Sequence, residues 1–220
     1  ISVSPFRLAI PPKMRRNSPW KGCTHYAAEK IYCRVFQARL GLDALTHAVE
    51  TYIGRFYNTR ETRSLARQAV KAIFQYLPIA CADGADLRAR QELLTASYRA
   101  GFAFTRASVG NVHALAHTLG GLYDVPHGRA NAVLLPVMLE AYGPAVYRRL
   151  AELADVVGLC PAGSQAEKAR AFIAAIYDMN RANLRLAIAD TPYADRGNLL
   201  LLAGFLCSVL LILLLFSGYT

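Results

Sequence analysis

Across 220 residues the sequence shows no alternating apolar and polar stretch of useful length, no Cys-x-x-Cys spacing and no glycine-rich phosphate-binding loop. Without alternation nothing reads as a half-buried strand, so the fold is expected to be all-α, a helical bundle. The five cysteines (Cys23, Cys33, Cys81, Cys160, Cys207) are odd in number and lack metal-ligand spacing. They are read as thiols in a reducing compartment, not as a disulfide framework or a zinc site. A dinucleotide needs backbone N–H groups at a glycine-rich helix start, and the Gly120-Gly121 pair lies instead within a histidine-bearing segment. The chain is therefore expected to lack a cofactor-binding domain, which its start at Ile1 and not Met also suggests. Acidic residues are scarce at one end only: residues 1–40 hold eight Lys or Arg against Glu29, which is +7 of the net +10. This basic leader is expected to be poorly ordered, with organelle targeting or an anionic surface as its other readings. It has no interleaved aromatics to stack bases, so no nucleic acid is expected as a partner.

What is present is helical periodicity. The pattern predicts helices over Asp43 to Phe56, Glu61 to Leu77, Leu87 to Arg106 and around His113 and His117, then a turn at Pro126 to Gly128. A buried run AVLLPVMLEAY follows, which Pro136 should kink or restart, and helices over Ala145 to Val157 and Ala166 to Arg185 complete the set. In the second helix Leu65, Ala69, Ile73 and Leu77 repeat every four residues. Residues 41–190 are thus expected to form one helical domain.

Histidine is rare, and four of the five fall into one pattern: Asp43 and His47 in GLDALTHAVE, then His113, His117 and His127 in NVHALAHTLGGLYDVPHGRAN. Spacing of four residues places two side chains on one helix face about a turn apart, close enough to share an ion. Neutral imidazole and carboxylate oxygen suit iron and zinc, so the cluster reads as a metal site. Gly128 beside His127 reads as a residue that lets a ligand come close. Either pair alone would as readily be a solvated helix face, and spacing does not choose between His113 and His117. His25 stands outside the pattern.

The run GLDALTHAVE followed by SYRAGFAFTRASVGNVHALAHTLGGLYDVPHGRANAVLLP resembles the signature of the iron-containing alcohol dehydrogenases, related in fold to dehydroquinate synthase and glycerol dehydrogenase. The resemblance runs from about Gly41 to about Leu159. It implies the helical C-terminal domain of a two-domain enzyme whose other, α/β half binds NAD or NADP and is absent from this chain. It also implies metal ligands at Asp43, His47, His113 and His127, and a catalytic role for His117 in proton transfer near the nicotinamide. Iron is the metal implied, while the ligand set would hold zinc equally well. Such an ion polarises the oxygen of a small alcohol, aldehyde or ketone, and the nicotinamide exchanges the hydride. A zinc-dependent polyol dehydrogenase on the same scaffold is a second reading. The third is a non-catalytic membrane-attached protein, or gene remnant, that keeps the ligands.

The membrane enters through Leu199 to Phe216, LLLLAGFLCSVLLILLLF, eighteen residues without a charge. At about 1.5 Å per residue such a helix would span about 27 Å, near the thickness of a bilayer core. The family implies a cytoplasmic enzyme, whereas this run would act as a tail anchor; a recombined 3′ end or packing against the bundle would also account for it. Oligomerisation is left open.

Overall fold

The structure, a computed structural model, describes residues 25–189, with side chains over residues 37–182. It contains seven helices: α1 (His25–Ile53), α2 (Arg60–Ala82), α3 (Leu87–Ala107), α4 (Asn111–Tyr123), α5 (His127–Tyr142), α6 (Pro144–Val157) and α7 (Gln165–Ala189). Among the described residues there is no strand, in line with the all-α expectation. The helix starts follow from local chemistry. Thr59 and Thr62 form a reciprocal capping box at α2, each hydroxyl accepting the other's N–H at 3.1 and 2.9 Å. Asp86 caps α3 by accepting the Ala89 N–H at 2.9 Å. Pro144 opens α6, and Gly158, in the left-handed region at φ 76°, ends it.

Helix α1 runs through the middle of the bundle, packed against α2, α3 and α5, while α6 and α7 pair with each other and touch α2 and α5 respectively. Leu45, Ile73, Leu77, Leu139, Leu153 and Phe172 are fully buried between these layers. Each such side chain contributes about 1.5–3 kcal/mol relative to exposure. This apolar packing fixes the angle and depth at which α1, α4 and α5 meet.

Several boundaries differ from the sequence expectation. Helix α1 begins at His25, well before Asp43, so residues 25–40 of the basic leader are helical. Helix α2 continues through Pro78 to Ala82, and its buried stripe is Thr62, Ala66, Ala69, Ile73 and Leu77, with Leu65 only half-buried. Repeats of four alone would drift around the helix, so steps of three and four alternate to stay on one face.

Helix α5 runs unbroken through Pro136, where a kink or restart is expected. Proline has no N–H to give the carbonyl four residues back, which is that of Ala132. The buried Asn180 of α7 supplies the missing donor, its Nδ2 bonding to the Ala132 oxygen. Among the described residues no helix is long and apolar enough to cross a membrane. The run at 199–216 and residues 1–24 lie outside the described residues.

Candidate metal centre

Residues at i, i+4 and i+7 share one helix face, and α1 uses this to present Asp43, His47 and Glu50 together. Two other helices bring histidines to that face. His113 comes from the first turn of α4 and His127 is the first residue of α5. Asp43 is the meeting point: its Oδ1 lies 3.8 Å from His113 Nε2 and 3.4 Å from His127 Nε2, and its Oδ2 lies 3.7 Å from His47 Nε2. Donors held about 2.1 Å from one tetrahedral ion are separated by about 3.4 Å. The spacing around Asp43 therefore suits a divalent ion. Asp43, His47 and His113 in particular offer ligand atoms all within 4.8 Å of one another.

Protonation points the same way. Burial, helped by neighbouring His113 and opposed by Asp43, holds the His47 imidazole down to about 4. Burial also lowers His127. Both rings are then neutral near pH 7, with lone pairs free for a metal. Nε2 of His113 is buried and has no hydrogen-bond partner, which is costly unless a further group binds there.

Glu50 was not legible as a functional residue, yet it organises the site. It is almost fully buried, and its Oε2 lies 2.5 Å from His113 Nδ1. A carboxylate on one ring nitrogen fixes the tautomer and turns the other nitrogen toward a metal. Its Oε1 accepts the Val112 N–H at 2.8 Å, so Glu50 caps α4 from a different helix. Gly110, the residue in the cap position, has no side chain to do so. A Cβ there would sit 2.7 Å from Glu50 Oε1, so glycine leaves room for the carboxylate. The sequence signal was faint: Glu50 follows His47 at a helical spacing, but its partner is 63 residues away.

His117, a turn beyond His113, is exposed at the edge of the site, its ring centroid 4.7 Å from that of His127 and 6.4 Å from that of His113. The buried face of α4, Val112, Ala116 and Leu119, lies nearer His113, a cue in the apolar pattern that distinguishes the two histidines. His25 begins α1, and its side chain lies outside the described ones. The stretch at Pro126 to Gly128 is a helix start, not a free turn. Gly128 serves packing, since a Cβ there would come 2.6 Å from the Arg39 carbonyl oxygen of α1. Close contact of α1 with α5, not of a ligand with the backbone, requires glycine at this point. Phe104 of α3 stacks on His47 at 4.2 Å and His113 stacks on the ring's other side at 4.1 Å. Together they close the inner wall of the cluster.

Such an arrangement can hold one divalent cation, with His117 and His127 toward solvent and apolar packing behind. Residues 37–190 match the Fe-containing alcohol dehydrogenase family, C-terminal, which is more than half of the chain. The chain belongs to the iron-containing alcohol dehydrogenase family. The match extends past Leu159, where the sequence resemblance fades, through α7. Among the relatives of this chain is 1,3-propanediol dehydrogenase of Klebsiella pneumoniae, 48% identical over 121 residues, which are 55% of this chain and 31% of that protein. Alcohol dehydrogenase 4 of Saccharomyces cerevisiae is 47% identical over 119 residues, 53% of this chain and 31% of that protein. The structure of an alcohol dehydrogenase from Oenococcus oeni superposes with a TM-score of 0.64 at 38% identity, covering 67% of this chain and 39% of the other. The chain thus spans about a third of the length of the curated relatives it matches.

Proposed function

We propose that this chain is the metal-binding part of an NAD(P)-linked dehydrogenase that interconverts small alcohols with aldehydes or ketones. The observation that carries this reading is the convergence of Asp43, His47, His113 and His127 from three helices around one carboxylate, with His113 braced by Glu50. These four would hold the metal, iron by family and zinc by the donors' chemistry. A divalent ion there supplies Lewis acidity toward an alcohol or carbonyl oxygen. The chain's own groups do the rest. Phe104 and the ring of His113 keep water from the inner side of His47. His117, exposed and next to His127, is placed to carry a proton between the site and solvent.

A dinucleotide-binding half, implied by the family resemblance, would bring the nicotinamide to the open side near His117. Substrates of the relatives include 1,3-propanediol and other alcohols, and a small alcohol is the substrate class proposed here. The apolar run at 199–216 adds a membrane anchor as a sequence reading only, beside the cytoplasmic location that family resemblance implies. The test is metal binding. Loaded anaerobically with ferrous iron or zinc, the chain should retain about one equivalent by elemental analysis, and His113→Ala should lower affinity at least about tenfold. His25→Ala should leave it unchanged. Background metal in the unsubstituted chain sinks the ligand assignment.

A further inference from the structure

Asn131 lies one turn after His127 on α5 and is completely buried. Its Nδ2 lies 2.5 Å from Asp43 Oδ1 and 2.9 Å from His127 Nε2, so one amide nitrogen spans two of the candidate ligand atoms. An amide N–H₂ can only donate. The His127 Nε2 that faces it must therefore carry the lone pair, with the ring proton on Nδ1. That lone pair is the one a metal would use. Meanwhile the other end of the same side chain, Oδ1, is buried without a hydrogen-bond partner. That unpaired carbonyl costs stability. The position is explained by what the nitrogen does.

We propose that Asn131 is a positioning residue that holds Asp43 and His127 in ligand-ready form before the ion arrives. Its two N–H groups occupy, as a weak positive centre, acceptor sites that would otherwise repel each other or take up protons. When a cation takes over the His127 lone pair, the amide is left bonded to Asp43 and keeps that carboxylate turned inward. The proposal rests on the ligand set given above, and the two can fail separately.

The full chain is titrated with Co²⁺ as the probe, by chelator competition and by the visible absorption of the bound ion, for the unsubstituted protein, Asn131→Leu and Asn131→Asp. Asn131→Leu should bind Co²⁺ roughly 10- to 100-fold more weakly, with an altered spectrum. Asn131→Asp should melt lower without metal, because it sets a second carboxylate beside Asp43, and recover that loss when Co²⁺ is added. A purely structural asparagine predicts for leucine an unchanged Co²⁺ affinity whatever the change in melting temperature, and that result overturns the proposal. A parent chain that binds no Co²⁺ overturns the ligand set itself. Should the variants not fold, ¹⁵N spectra of the histidines in the metal-free parent at neutral pH decide: His127 with its proton on Nδ1 supports the proposal, and a proton on Nε2 defeats it.

Discussion

The site has two unlike halves. On the inner side His47 and His113 are stacked on each other, His113 is 1% exposed, and the ring is braced by the carboxylate of Glu50. On the outer side the His127 side chain is 37% exposed, His117 is exposed, and the brace is the neutral amide of Asn131. A charged brace locks its imidazole with a stronger hydrogen bond, whereas a neutral one only selects a tautomer. On the proposed ligand set, the inner half would serve to retain the ion. On the proposed function, the outer half is where a substrate would reach it.

The largest effect expected in breaking this contrast is at Glu50. Glu50→Ala strips the partner from His113 Nδ1 and from the Val112 N–H in a dry site, and should cost about 3 kcal/mol in chemical unfolding. Metal affinity should fall in the same variant, roughly 10- to 100-fold by titration. Glu50→Gln keeps an acceptor for the helix start and should recover part of the stability but less of the affinity.

Next in size is the seam between the halves, where α5 rests on α1. Gly128→Ala forces a methyl against the Arg39 carbonyl oxygen and should destabilise by about 1–3 kcal/mol. The matching change at Gly121, exposed on α4 with nothing within 4 Å of an added Cβ, should instead stabilise by roughly 0.5–1 kcal/mol. Thermal melts of the pair distinguish close packing from mere loss of glycine.

The last effect is on pH. His47 sits at about 4 in the folded chain against an ordinary value near 6.5. Between those values the unfolded chain takes up a proton that the folded chain refuses, so stability falls as pH drops from about 6.5 toward 4. Melting temperature measured across that window without metal should decline, and His47→Gln should flatten the decline. An unchanged slope in the variant would mean that other groups dominate acid unfolding.

Helices and candidate ligands were legible in the sequence to different degrees. All-α character showed in the periodicity of Leu87 to Arg106 and of α6, because an amphipathic helix records its buried face locally. Asp43, His47, His113 and His127 were legible because the motif fixes their spacing, and the structure brings them together. Three things were not. The start of α1 at His25 lies in a basic segment with little apolar rhythm. Glu50 acts across 63 residues, and no local pattern records such a bond. Gly128 was visible as an unusual residue, but its reason, the Arg39 carbonyl, lies on another helix.

Asp43 and Asn131, hydrogen-bonded at the centre of the site, are 88 residues apart in the chain. During synthesis α1 emerges long before α5, so Asp43 and His47 wait as a bare helix face while α2, α3 and α4 are made. Contacts of such long range form late, after the entropy of closing the loop has been met by packing. If the four proposed ligands hold one ion, only a bundle that has already closed acquires it, and metal content in a population of freshly made chains would be a clock for completed folding.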